Sequence, residues 1–320
     1  MHARPEPELR GAPSPVVSGL RSLVVALDLS PLSDRLVARV ALLPFAEGAR
    51  LTLLHAVPES LPSPARRRAA RDARDALEAE AEQFARTLPA HVALHCAVET
   101  GAASVEIARC AASVGAEMLV IGRGGGRALR DLFLGSTAER VLRRGRLPVL
   151  VVRLPARTPY RYPMLALDFD QAAHHALDLV LRVVPPPRPP VDVIHAYEVP
   201  YMGLRYASLA DDDTREDREV SRRHEREELH AFLAAALVQA GIAPADAPAW
   251  RVHVLQGAPR TVIEKAVEKA RPDLLVLGTR GHGGVANAFL GTVAGDVLRE
   301  VTCDVLVVPP RRTPPEADAM

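Results

Sequence analysis

The chain has 320 residues, enough for about two domains, and 48% of them are hydrophobic, which supplies two packed cores. Its net charge of +1 and its 4% aromatic content give no basis for nucleic acid or an anionic membrane as partner. The three cysteines, Cys96, Cys110 and Cys303, have no metal-ligand spacing, and their odd number suits a reducing compartment, the cytoplasm. No apolar run is long enough to span a membrane, and the N-terminus lacks the pattern of a signal peptide.

In chain order, residues 1–19 are Pro-rich, lack periodicity and read as a flexible tail. Ser22 to Asp28 reads as a first strand, Leu32 to Leu43 as a helix and Leu51 to His55 as a second strand. Ala65 to Leu88 is a long Ala/Arg/Glu helix with Leu77, Ala81, Phe84 and Leu88 on one face. A third strand, His91 to Val98, runs into Gly101, and Val105 to Val114 is helical. Met118 to Ile121 is a fourth strand feeding Gly122-x2-Gly125-x9-Gly135-Ser136, a helix follows, and Val149 to Val152 is a fifth strand.

The order then repeats. Tyr162 to Asp168 and Val191 to His195 match the first two strands at an offset of 140. Trp250 to Leu255, Leu274 to Leu277, Gly278-x2-Gly281-x9-Gly291-Thr292 and Val305 to Val308 match at an offset of 156. The difference is 16 extra residues between His195 and Gly257, in the stretch Tyr201 to Glu228 before and within a helix. Strands alternating with helices argue for parallel sheets covered on both faces. The expected organisation is a tail at 1–19, a domain at 20–156, a second at 157–309 and a tail at 310–320.

A strand that feeds a glycine loop and then a helix N-terminus is a phosphate-binding arrangement. With strand order 3-2-1-4-5, the order reverses between strands 1 and 4. There Asp28 and Asp168 would face the glycine loops, placed to accept hydrogen bonds from ribose hydroxyls or a base. Gly122 and Gly278 let the chain leave the strand, Gly125 and Gly281 let backbone N–H groups approach phosphate, and Gly135-Ser136 and Gly291-Thr292 open a helix. A strand-end Asp is equally a helix cap, a role open also to Ser30 and Ser33. His55 and His195, beside the core, read as hydrogen-bonded structural histidines. Asp211-Asp212-Asp213 suits a helix N-terminus; the alternative is a lid over the second site, with Tyr197, Tyr201 and Tyr206.

The glycine pattern, the upstream strand-end Asp, Leu54-His55 and the segment Ala138 to Leu142 before Pro148 to Val152 resemble the universal stress protein family, as a tandem pair of its ATP-binding type. The resemblance implies two five-stranded, Rossmann-like parallel-sheet domains of order 3-2-1-4-5. They would pair as a pseudo-dimer by apposing Val149–Val152 and Val305–Val308. It implies adenosine contacts from Asp28 and Asp168, the base beside Ala56 and Ala196, and phosphates held by Gly122, Gly125, Gly135, Ser136, Gly278, Gly281, Gly291 and Thr292. The expected ligand is ATP or another adenine nucleotide, with Mg²⁺ as its companion near Asp170. The partners implied are the nucleotide, a second protein and a homodimer of chains.

The halves differ. Asp28-x-Ser30-x-x-Ser33 keeps the family's usual strand-1 segment, whereas the loop Gly278-Thr279-Arg280-Gly281-His282-Gly283 is the more typical loop. Neither loop carries a lysine to reach the β/γ-phosphates; the only lysines are Lys265 and Lys269. The leading expectation is a nucleotide-binding signalling protein of the stress response with little or no hydrolysis. An ATPase or nucleotidyl transferase using Arg123, Arg127, Arg280 and Asp170 is one alternative, and a nucleotide-free scaffold is another.

Overall fold

The computed structural model describes residues 19–123, 135–144, 147–169, 171–198, 211–279 and 290–311; within these, the side chains of 171 and 211–218 are not described. The first half runs β1 (Leu20–Ala26), α1 (Ser33–Ala41), β2 (Phe45–Val57), α2 (Ser63–Ala85), β3 (Ala93–Thr100), α3 (Ala103–Ser113), β4 (Met118–Gly122), α4 (Ser136–Arg144) and β5 (Val149–Val152). The second runs β6 (Pro163–Ala166), α5 (Gln171–Val183), β7 (Val191–Tyr197), α6 (Asp211–Gln239), a 3-10 turn at Pro244–Asp246, β8 (Trp250–Gln256), α7 (Pro259–Ala270), β9 (Leu274–Gly278), α8 (Thr292–Glu300) and β10 (Asp304–Val308).

The strands form one ten-stranded sheet of order β3-β2-β1-β4-β5-β10-β9-β6-β7-β8. Each half has the expected order 3-2-1-4-5, but the halves merge into a continuous sheet. Every pairing is parallel except β5 with β10, where Leu150 faces Leu306, Val149 faces Val307 and Val151 faces Val305. The apposition of the two apolar fifth strands is therefore as the resemblance implies.

Successive strand residues point to opposite faces, and both faces are buried. Leu23 and Val25 enter one core with Leu36 of α1, Leu77 and Phe84 of α2, Leu177 of α5 and Leu233 of α6. Val24 enters the other with Ile107 of α3, Val141 of α4, Val267 of α7 and Val297 of α8. Each core runs across both halves. Burying one such side chain contributes roughly 1.5–3 kcal/mol, so each half is stabilised by the other.

Two carboxylates brace the sheet in matching places. Glu117, just before β4, accepts the N–H groups of Arg21 and Ser22. Asp273, before β9, accepts those of Arg161 and Tyr162 at 2.6 and 2.9 Å. The second strand is longer than its apolar stretch predicts. It starts at Phe45, and the ladder is irregular between Leu20, opposite Phe45, and Ser22, opposite Arg50. Gly48, at φ +71°, lies in this irregularity, where a left-handed backbone favours glycine.

A buried ionic cluster joins the halves. Asp304, fully buried, accepts hydrogen bonds from the backbone N–H groups of Arg153 and Leu154, from Arg39 Nε at 3.0 Å and from the Tyr160 hydroxyl at 2.9 Å. The Arg39 guanidinium lies 4.0 Å over the Tyr160 ring, and Arg153 donates to the carbonyls of Val301 and Leu298. Burial pushes the Asp304 carboxyl above its usual range despite these donors, and lifts the Tyr160 hydroxyl well above its own.

Candidate functional site

The order reverses between β1 and β4, and again between β6 and β9. Ala26 is in register with both Leu54 and Ile121, and the Leu27 N–H continues the ladder to Leu54 O at 2.9 Å. Asp28, Ala56 and Gly122 therefore leave three adjacent strands at one rim. Ala166 is likewise in register with Ile194 and Leu277, and Leu167 N–H reaches Ile194 O at 3.0 Å. This brings together Asp168, Ala196 and Gly278.

The next helix returns to the same rim. Gly135 N–H donates to Arg123 O at 2.7 Å, and Gly291 N–H to Thr279 O at 2.9 Å, a repeated bond that pins the start of α4 or α8 against the strand end. Ser136 and Thr292 stand exposed in the first helical turn, and the N-cap Gly291 supplies no side-chain cap. Such N–H groups suit an anion. The backbone itself requires Gly291: a Cβ there would stand 2.8 Å from Thr279 O. The Thr279 hydroxyl is buried without a hydrogen-bond partner among the described residues. Gly125, Gly281, Arg127, Asp170, Arg280, Tyr201 and Tyr206 lie outside the described residues.

Asp28 is exposed and both binds its own loop and faces the rim. Its Oδ1 accepts from Ser30 N–H at 3.1 Å and from the Ser33 hydroxyl at 3.2 Å, while Ser30 Oγ accepts from Leu32 N–H. These bonds build the turn before α1, whose N-cap is Leu32 with no side-chain cap, so neither Asp28 nor the two serines caps the helix. Leu29, between them, has φ +56°, a conformation costly for a non-glycine residue. Asp168 is half-buried, and its Oδ1 accepts Phe169 N–H at 3.1 Å.

Both strand-end histidines are structural. His55 Nδ1–H donates to Leu27 O at 2.9 Å and His195 Nδ1–H to Leu167 O at 3.0 Å, which fixes the tautomer by the acceptor. Tyr197 lies in the core, 9% exposed, and forms no lid. Burial raises all three cysteine thiols, Cys303 to about 12, so none is poised as a thiolate nucleophile. Among the described residues, no three His, Cys, Asp or Glu side chains cluster as metal ligands, and no helix is long and apolar enough to cross a membrane.

Sequence reasoning passed over Asp304, Arg39, Glu117 and Asp273. The only signal for the last two was their matching position one residue before a strand, visible once the halves are aligned.

Known proteins agree with this architecture. The family model described as "Universal stress protein family" matches residues 19–153 and again 160–309. A universal stress protein of Mycolicibacterium smegmatis is 26% identical over 324 aligned positions, covering 90% of this chain and 97% of its own length. A universal stress protein of Thermus aquaticus is 37% identical over 118 residues, 36% of this chain and 74% of that protein. The crystal structure of a universal stress protein from Archaeoglobus fulgidus superposes with a TM-score of 0.63 at 19% identity, covering 91% of this chain and 98% of that one. With the family model matched twice, once over each half of one repeated fold, the chain belongs to the universal stress protein family, as a tandem member.

Proposed function

We propose that this protein binds ATP or another adenine nucleotide and signals through the bound state in the cytoplasm, with little or no hydrolysis. One observation carries the reading. A strand-end Asp, a glycine exit and a helix N-terminus meet at the sheet's reversal point twice, in register, through the same backbone bonds. Asp28 or Asp168 would accept from the ribose or base beside Ala56 or Ala196. The N–H groups at Gly135-Ser136 or Gly291-Thr292 would face phosphate, with Gly122, Gly125, Gly278 and Gly281 giving it room. Mg²⁺ would arrive with the nucleotide. Domains at 20–156 and 157–309 would each carry one such constellation. A protein partner, or a second copy of the chain, would read the occupied surface.

Native mass spectrometry of the purified protein tests the reading, with titration calorimetry against ATP and an assay of turnover. The expected result is bound adenine nucleotide and turnover far below about 1 s⁻¹. Enzyme-like turnover overturns the signalling part. Absence of any nucleotide, retained or added, overturns the whole and leaves a scaffold. One observation favours that second reading: the close approach of Thr279 O, 2.8 Å from where a Cβ would stand, is by itself enough to require Gly291.

A further inference from the structure

The two candidate sites have different surroundings on the side of the second strand. At the offset of 156, Leu77 of α2 matches Leu233 of α6 and Ala73 matches Leu229, and all four are buried. By the same offset the first residue of α2, Ser63, matches Glu219. Helix α6 begins at Asp211, eight residues earlier. In a parallel α/β unit the helix following a strand starts at the rim where that strand ends. Eight residues at 1.5 Å each carry the start of α6 about 12 Å further past that rim than α2 reaches.

The side chains under this longer helix also differ. Glu225 of α6, which matches Ala69, lies 3.3 Å from His195 Nε2. Phe169, the residue after Asp168, packs on the His195 ring at 4.8 Å and on Phe232 at 6.1 Å, and His174 meets Phe232 at 4.5 Å. The counterparts in the first half are Leu29, His55, Ala76 and Asp34, which include no second aromatic ring. His195 is 4% exposed and Asp168 half-buried, whereas His55 is half-buried and Asp28 exposed.

We propose that α6, held by the His195–Glu225 contact and the Phe169–His195–Phe232 stack, is a built-in cover over the second rim. The chain then takes one adenine nucleotide, in the first half. This rests on the nucleotide reading above and adds its stoichiometry and address. The cover is local, so loosening it frees a second equivalent site.

Two measurements on the full chain test this. Calorimetry with ATP gives one site per chain in the wild type, none in Asp28→Ala, and two when Glu225→Ala is combined with Phe232→Ala. Two sites in the wild type, or one retained in Asp28→Ala, overturns the proposal. The second measurement needs no nucleotide. Diethylpyrocarbonate modifies His55 several-fold faster than His195 in the wild type, mapped by peptide mass spectrometry. The milder Glu225→Ala brings His195 toward the rate of His55. Equal rates in the wild type, or a His195 unchanged by Glu225→Ala, overturn the cover. If no ATP binds anywhere while the histidine rates differ as stated, the ligand assignment fails and the cover stands.

Discussion

The two sides of the junction between the halves are related by the internal repeat, yet they are held differently. On one side Arg35 donates to Arg153 O at 3.4 Å; at the matching place on the other, His175 Nδ1–H donates to Pro309 O at 2.7 Å. There the likeness stops. Arg39, Arg153 and Asp304 form the buried cluster on the first side, while their counterparts are Leu179, Pro309 and Pro148. Contacts to backbone groups have kept their places in both copies, since any suitable donor serves a carbonyl. Contacts between side chains have not kept theirs: the other side has no counterpart of the buried cluster, and there Arg182 of α5 reaches Glu117 of the first half at 2.7 Å instead. The strand skeleton is duplicated, and the ionic cluster is particular to this pairing of a first half with a second.

The largest expected effect tests that cluster. Asp304→Ala leaves Arg39 and Arg153 buried beside an emptied position and should cost about 3–5 kcal/mol in chemical denaturation. A loss no larger than that of Leu179→Ala would make the two sides equivalent. The pH dependence sharpens the point. Because burial raises the Asp304 carboxyl, the folded chain binds more protons than the unfolded chain just above the usual carboxylate range. Its contribution to stability is therefore greatest below that range and is lost as pH rises through the folded-state value. The advantage of wild type over Asp304→Asn should shrink over that interval. A growing advantage would mean that the donors outweigh burial.

A smaller effect concerns the rim. Gly291→Ala sets a Cβ 2.8 Å from Thr279 O and should destabilise by about 1–3 kcal/mol with no nucleotide present. Gly295→Ala, four residues on within α8, meets only Leu290 at 3.6 Å and should stabilise by about 0.4–1 kcal/mol. Thermal unfolding of the two variants should move in opposite directions. The smallest effect compares the paired braces. Glu117→Gln should cost about 1 kcal/mol and slightly more than Asp273→Asn, because Arg182 also holds Glu117, at 2.7 Å. Equal losses would assign Arg182 no share.

Much of this was legible in the chain because it repeats. Short apolar stretches such as Leu274 to Leu277 admit few other roles, and the two offsets placed each strand against its twin. The strand-end Asp and glycine positions followed from that register. The start of β2 at Phe45 was hidden, because half-buried positions and a bulge erase the alternation that marks a strand. The start of α6 was hidden too. Residues 211–218 are charged and carry no apolar stripe, so periodicity first appears near Glu219. Tyr197 resembled a loop aromatic only because β7 runs two residues past His195. The Asp304 cluster had no local signature, since its members come from α1, the connection between halves and β10.

The single antiparallel pairing, β5 with β10, also sets the directions in which the two candidate sites face. Because the strands of the first half run against those of the second, their carboxyl ends emerge at opposite edges of the sheet. Each edge therefore carries the candidate site of one half. The two reversal points are separated by the four strands β4, β5, β10 and β9 and face opposite ways, so the protein is two-ended.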